Sequence, residues 1–363
     1  MGKKVLIIIT TAFVPYGGLT TVMMNYYRAM DKTDLQIDFA STNEPSVELL
    51  DELQANGSQY FNLGSRKKQL PKYLKKLNAL LKNVHYDVIH VNGNSATMVF
   101  ELKAARKYGI SNRIAHGHTT KSDHLILNKL LKRDFEKSYT HAVAVSSKAG
   151  NWLFNGGQYT ILRNAINVEK YKYNETVRNR IRSELNINDK FVIGHLGKIY
   201  KPKNHDFLID VFYEIKRIND NVCLMLVGDG ELKDEIKSKC KRLNLEHDVI
   251  FTGMVRNTYD YLQAMDVFVF PSLWEGLPLA LIEAQASGLQ CIVSSNVAKD
   301  AKCIETTAFV DLSEGVSAWA EKVIEICKNH IDRTDILDEI RSSGYDIQEE
   351  AKRLRMIYLD ERK

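Results

Sequence analysis

The sequence predicts an α/β protein made of two successive doubly wound parallel sheets, and three observations carry that prediction. The chain has 363 residues, which at roughly 150 residues per domain is about two domains, each long enough to bury its own core. Short β-branched apolar runs recur between helical stretches, the pattern of βαβ units whose strands are covered on both faces. The series pauses in a segment rich in Asn, Tyr and charge, about 164–188, and then restarts. The expected domains are therefore 1–168 and 169–345.

The expected strands of the first domain are 4–10, 87–91, 113–116 and 142–146. The restart begins with Phe191-Val192-Ile193-Gly194-His195-Leu196-Gly197 and continues at 223–227, 249–251, 267–270 and 291–293. A segment at 347–358 has a helical period and few breakers. In doubly wound sheets ligands bind at the carboxyl ends of strands. Gly-bearing polar loops stand at such ends in both halves, so two facing domains with an interdomain cleft are expected.

Composition excludes several classes. With 44% hydrophobic and 26% charged residues, the chain is not disordered, collagen-like or a coiled coil. Its five cysteines are widely spaced without a C-x-x-C pair, as expected of buried thiols in a reducing compartment. The run Val5–Ile9 is too short for a signal peptide, and no stretch approaches ~18 uncharged apolar residues. A cytoplasmic protein is expected. Charge is asymmetric: residues 1–170 carry 23 basic against 13 acidic side chains, net +10, and residues 171–363 carry 27 against 32, net −5. The two halves should face different partners.

The most informative stretch is Glu275-Gly276-Leu277-Pro278-Leu279-Ala280-Leu281-Ile282-Glu283-Ala284. Pro278 suits a helix's first turn and Gly288 its end, which predicts a helix over about 277–287 after a Gly-containing turn. Its free N–H groups form an anion site without any metal. Eight helical residues rise ~12 Å, so Glu275 and Glu283 cannot share one ligand atom but can grip two ends of an extended ligand. An inner carboxylate suits a ribose diol, as in dinucleotide sites. An amphipathic helix with solvated glutamates shows the same spacing.

This decamer resembles the signature of the retaining glycosyltransferases of family 4, a GT-B group that includes bacterial capsular and exopolysaccharide enzymes: Glu, seven residues, a second Glu, then Ala. The resemblance spans nearly the whole chain. It implies a GT-B fold whose last helix, about 346–363, packs back on the first domain. It implies that Glu283 binds the ribose of a nucleotide sugar, that Glu275 lies beside the transferred sugar, and that backbone amides around the stretch Gly276, Leu277, Pro278 and Leu279 hold the distal phosphate and sugar. Lys198 and Lys203, in Gly197-Lys198-Ile199-Tyr200-Lys201-Pro202-Lys203-Asn204, match the family's basic pair on the diphosphate. The departing nucleoside diphosphate gains about one negative charge, which preplaced cations in a dry site stabilise. No Asp-x-Asp occurs, so neither a metal nor another cofactor is expected.

The resemblance also implies a histidine at the sugar, here His116 with His118 second, in Arg113-Ile114-Ala115-His116-Gly117-His118. His90 and Asn92–Asn94 stand at another strand end. By the same resemblance Gly17 and Gly18 occupy the family's Gly-rich loop, where backbone approaches phosphate and acceptor. Val255 lies where family members receive the base, and Gly228-Asp229-Gly230 is expected as a turn near the nucleotide. The expected reaction is retaining transfer from a nucleoside diphosphate sugar, a UDP-sugar, to a hydroxyl of a lipid-linked or growing polysaccharide glycan.

One further surface and three rivals complete the expectation. From Arg66 to Lys76 the sequence is strongly basic, and Tyr73, Leu74, Leu77, Leu80 and Leu81 form an apolar stripe. That segment is either a helix docked on its own sheet or a face for anionic lipid at the inner membrane surface. Nucleic acid is not expected, since no basic motif interleaved with aromatics is present. A nucleotide-sugar 2-epimerase of the same fold would need several acids and bases around the sugar. A non-catalytic partner of another transferase would be expected to lose the lysine pair or the glutamate pair. A nicotinamide oxidoreductase would need an intact Gly-x-Gly-x-x-Gly, which is absent.

Overall fold

The computed structural model describes every residue except Met1, Tyr16, 120–124, Gly276, 330–332, 334 and 361–363. The chain divides into two units, Met1–Ala165 with Ile347–Lys363, and Ile166–Asp346. Each is a parallel sheet flanked by helices.

The first unit has seven strands: β1 (Lys3–Ile9), β2 (Leu35–Ser41), β3 (Tyr60–Asn62), β4 (Val88–Gly93), β5 (Asn112–Gly117), β6 (His141–Ala144) and β7 (Thr160–Ile161), in the order β3-β2-β1-β4-β5-β6-β7. All pairings are parallel. From Val5 to Ile9 β1 is buried on both faces, which its unbroken β-branched run allows. One face is covered by helix Gly18–Ala29 and by the last helix, Ile347–Leu359, whose Ile347, Ala351, Leu354 and Tyr358 join the same core as Val5, Ile7 and Ile9. Lys3 Nζ donates to the Leu359 carbonyl at 2.6 Å, tying the end of this helix to β1. The other face packs on helices Leu70–Asn83 and Val99–Lys107.

The second unit has six parallel strands: β8 (Phe191–Leu196), β9 (Val222–Val227), β10 (Val249–Gly253), β11 (Val267–Phe270), β12 (Gln290–Ser294) and β13 (Thr307–Val310), in the order β10-β9-β8-β11-β12-β13. In each sheet the strand order reverses once, between β1 and β4 and between β8 and β11. Loops leaving those strands are where such folds receive ligands.

Four strands escape the periodicity of the sequence: β2, β3, β7 and β13. Three of them, β3, β7 and β13, lie at or next to a sheet edge and run only two to four residues. In β2 a buried Asp38 interrupts the apolar run. It is held by Lys4 at 3.4 Å and accepts from the Tyr86 hydroxyl at 2.9 Å.

Of the two readings of the segment from Arg66 to Lys76, the structure shows a helix docked on its own sheet. Tyr73, Leu77, Leu80 and Leu81 are buried in the unit's own core. The Arg66 guanidinium is turned inward, 2.6 Å from the buried Glu101 carboxylate, and donates to the Thr97 carbonyl at 2.7 Å. The lysines of this segment, with Gln69 and Pro71, face solvent, while its apolar stripe is turned into the core. Among the described residues no helix is long and apolar enough to cross a membrane.

Candidate active site

In the second unit the switch-point loops bring most of the expected site residues to one end of the sheet. The loop after β8 runs from Gly197 into a 3-10 turn, Lys201–Lys203. Pro202 accepts through its carbonyl from the Leu273 N–H at 2.8 Å, which joins this loop to the one after β11. Lys203 is buried, with its Nζ 2.8 Å from Glu275 Oε1 and 4.3 Å from the centre of the Phe270 ring. Burial holds the ammonium below the usual lysine value while Glu275 pulls it back up.

Glycines set this geometry. A Cβ on Gly228 would lie 2.1 Å from the Gly197 carbonyl oxygen, and one on Gly230 2.2 Å from that of Ile199. The Gly228-Asp229-Gly230 turn therefore lies flat against the lysine loop. The Ile199 N–H donates to the Asp229 carbonyl at 2.9 Å and the Gly228 N–H to the Gly253 carbonyl at 3.1 Å, which also anchors the turn leading to the half-buried Val255.

The helix after β11 is Leu279–Ala286, shorter than expected, with Pro278 at its cap instead of in its first turn. No side chain caps it, so its first N–H groups stay open to an anion. Leu277 and Leu279 pack against the core, and Gly276 lies outside the described residues. Glu283 sits in the second turn. Desolvation pushes its carboxyl up to about 7, against a hydrogen bond donated by the Tyr171 hydroxyl and the charge of Lys203.

Lys198 is separate from this group. Its ammonium is exposed, 2.9 Å from Glu231, and lies beside the Tyr200 ring. Three residues of the site were not singled out in the sequence: Tyr171, His195 and His205. His195 donates through Nδ1 to the Val269 carbonyl at 2.8 Å, and its ring meets that of His205 edge-on at 4.6 Å. Burial depresses both, His205 to about 4. Both are thus neutral neighbours of Lys203 at neutral pH. In sequence they read as strand and helix-start residues, and only the fold brings them to Lys203.

In the first unit Gly17 precedes and Gly18 begins helix Gly18–Ala29, and a side chain on Gly18 would meet open space. His116 lies on β5, fully buried. Its Nδ1 is 3.1 Å from His90 Nε2, and His90 Nδ1 is 2.7 Å from the Tyr358 hydroxyl. His118, one residue past β5 and partly exposed, sets its ring centre 4.1 Å from that of His116, tilted 35° to it, and places Nε2 2.9 Å from Asn92 Oδ1. Burial drives His90 and His118 down to about 3 and His116 further down, so all three are neutral near pH 7. Of the two candidate histidines, His118 is the one that reaches solvent. His116 stands behind it.

The sequence matches the family model for Glycosyltransferase Family 4 over residues 16–170 and that for glycosyl transferases group 1 over residues 190–329. It is 30% identical to the putative glycosyltransferase EpsF of Bacillus subtilis over 94% of this chain and 93% of that protein. It is 29% identical, over 62% of each, to the Escherichia coli UDP-Gal:alpha-D-GlcNAc-diphosphoundecaprenol alpha-1,3-galactosyltransferase. Its fold matches that of Anabaena Alr3699/HepE, solved in complex with UDP, with a TM-score of 0.78, 17% identity, and coverage of 98% of this chain and all of that one. Two parallel Rossmann-like sheets, the two family matches and near full-length similarity to EpsF converge: the chain belongs to glycosyltransferase family 4, has the GT-B fold and is a glycosyltransferase.

Proposed function

We propose that this glycosyltransferase moves a sugar, with retention, from a UDP-sugar to a hydroxyl of a lipid-linked or growing polysaccharide glycan, without a metal. The observation that carries the reading is the group formed by Lys203, Glu275, the open N-terminus of Leu279–Ala286 and Glu283 at one switch point. A buried cation and free amides suit a diphosphate, and a carboxylate one turn further in suits a ribose diol. UDP in the HepE structure and the UDP-Gal donor in the name of the E. coli relative support that choice of base. The same relative's diphosphoundecaprenol acceptor supports a lipid-linked one. Retention is what membership of the family implies.

In this reading the bond from the sugar's anomeric carbon to the phosphate oxygen breaks as the acceptor oxygen bonds that carbon. The acceptor proton goes to the leaving phosphate on the same face. Lys203 and the helix amides take up the charge that develops there. Glu275 holds Lys203 in place until the diphosphate competes for it. Lys198, on its exposed loop, can swing from Glu231 to the phosphate. The acceptor belongs to the first unit, near Gly17, Gly18 and His118.

A lipid-linked acceptor requires the enzyme to work at the cytoplasmic face of a membrane. The surface that suits this is helix Leu125–Glu136, where Leu125, Ile126 and Leu130 are each about two-thirds exposed or more. Ile126, Lys129, Leu130 and Arg133 share one helical face, pairing insertable side chains with cations for anionic headgroups.

The experiment is incubation with UDP-sugars and a polyprenyl-diphosphate sugar, followed by NMR of the product. An axial or equatorial anomeric linkage matching that of the donor supports the reading. An inverted linkage overturns retention, and a new UDP-sugar formed without acceptor would show a 2-epimerase instead.

A further inference from the structure

Two aromatic side chains stand in the loops that carry the Lys203–Glu275 pair. Trp274 immediately precedes Glu275 in the loop after β11, and Tyr200 lies between Lys198 and Lys203 in the loop after β8. The two loops are knit together. The Leu273 N–H donates to the Pro202 carbonyl at 2.8 Å, Asn204 donates through Nδ2 to the Pro271 carbonyl at 3.1 Å, and Lys203 pairs with Glu275. None of these bonds uses the Trp274 ring. Pro271, Ser272 and Lys203 are buried and Glu275 is nearly so, yet Trp274 is 51% exposed.

Leaving so large an apolar ring in water forgoes the stabilisation that burial would give. Single exposed apolar side chains are nonetheless ordinary on protein surfaces, so the place of this one decides its meaning. No other tryptophan or phenylalanine among the described residues of the second unit is exposed. Ile218, also exposed, ends helix His205–Ile218, a rise of about 20 Å from the lysine loop. Trp274 instead adjoins the carboxylate that closes on Lys203. Tyr200 is half-buried, its ring centre 5.3 Å from the Lys198 ammonium. Burial and the charge of Glu275 raise its hydroxyl above the usual tyrosine value against the pull of Lys198, so it keeps its proton at neutral pH.

A hexopyranosyl group matches this surface. One face of a pyranose ring carries C–H bonds that suit the electron-rich face of an indole, and its edge carries hydroxyls that need polar partners. The sugar of a nucleoside diphosphate sugar is bonded directly to the distal phosphate. A diphosphate on Lys203 therefore brings its sugar to the residues around Lys203, which are Glu275, Trp274 and Tyr200. We infer that Trp274 is the stacking wall of the transferred sugar and Tyr200 a polar contact on its edge, a subsite for a hexopyranosyl group that UDP alone leaves empty. The inference rests on the proposed diphosphate site at Lys203, so binding of UDP and of UDP-sugars is read separately.

The test is calorimetric titration of the full-length protein with UDP, UDP-glucose, UDP-galactose and UDP-N-acetylglucosamine, without acceptor. In Trp274→Ala the sugar nucleotide that the wild type binds most tightly should bind about fivefold more weakly, the worth of one aromatic contact, while UDP affinity stays within about twofold. Trp274→Phe, which keeps a ring, should recover part of the loss. Iodide quenching adds a reading on the wild type: the tryptophan emission that Trp274→Phe lacks should be shielded by that sugar nucleotide and left open by UDP. Unchanged sugar-nucleotide affinity in Trp274→Ala overturns the inference. An equal loss for UDP and the sugar nucleotide overturns it too, since the ring would then only support the loop. Unaltered sugar-nucleotide binding in Tyr200→Phe overturns the polar contact. Absence of UDP binding by the wild type overturns the donor site itself, and the subsite with it.

Discussion

Lys203 and Glu275 form a buried ion pair, Nζ to Oε1 at 2.8 Å, with neither side chain more than 15% exposed. Breaking such a pair leaves the partner's charge uncompensated, so each residue fixes the other until an anion arrives. Lys203→Ala should lower turnover at least tenfold, about 1.4 kcal/mol of transition-state stabilisation, with Lys203→Arg recovering part of it. Steady-state kinetics at saturating donor checks this. Wild-type rates in Lys203→Ala would remove the lysine from the diphosphate.

Glu283 gives a pH dependence with a definite sign. Its carboxyl is raised from 4.5 to about 7 in the folded chain, so between those values the native state holds a proton that the unfolded state has lost. Stability from this group falls as pH rises from about 4.5 to 7. Glu283→Gln should therefore raise the melting temperature more at pH 8 than at pH 5. Nucleotide affinity, which needs the carboxylate to accept from the ribose, should rise through pH 7 in the wild type and stay flat in Glu283→Gln by calorimetry.

The turn beneath the lysine loop should be intolerant of any side chain. Gly228→Ala places a methyl 2.1 Å from the Gly197 carbonyl, a backbone contact that cannot yield without moving Lys198 and its loop. Overpacking of this kind costs about 1–3 kcal/mol. Thermal denaturation should show that loss, and UDP affinity should fall at least fivefold even where the protein remains folded.

Helix Leu125–Glu136 is expected to bind anionic vesicles. Replacing Ile126 and Leu130 by Glu removes apolar surface and adds charge of the wrong sign. Cosedimentation with phosphatidylglycerol liposomes should drop at least fivefold, and wild-type binding should fall with salt. Equal recovery on neutral vesicles would contradict the electrostatic part.

Stabilisation of the leaving group by Lys203 and helix amides predicts that activity survives chelation. Turnover measured in excess EDTA should stay within twofold of the untreated enzyme. A loss restored by a divalent cation would show that a metal shares the work.

The central strands were legible because a strand buried on both faces must be a run such as Val5–Ile9 or Val267–Phe270. The edge strand β7 was not, having only two residues, and neither was the inner strand β2, whose apolar run a buried aspartate interrupts. The Glu275–Glu283 spacing pointed to the loop and helix after β11, but nothing local says that Lys203 turns inward to Glu275 while Lys198 stays on the surface. That difference depends on the Gly197 and Gly228 backbones, which leave room for one lysine under the loop. The stripe from Tyr73 to Leu81 was compatible with core and with surface, and in the fold it packs into the unit's core while Arg66 turns inward to Glu101. The row from Tyr358 to His116 crosses nearly the whole chain, and no sequence period contains it.

Calorimetric titration of UDP into the wild type, Lys203→Ala and Glu283→Ala tests the donor site most directly. The account predicts saturable one-to-one binding to the wild type near pH 7.5 without added metal, weakened at least tenfold in each variant. Equal affinity in all three proteins, or no binding to the wild type, would contradict it.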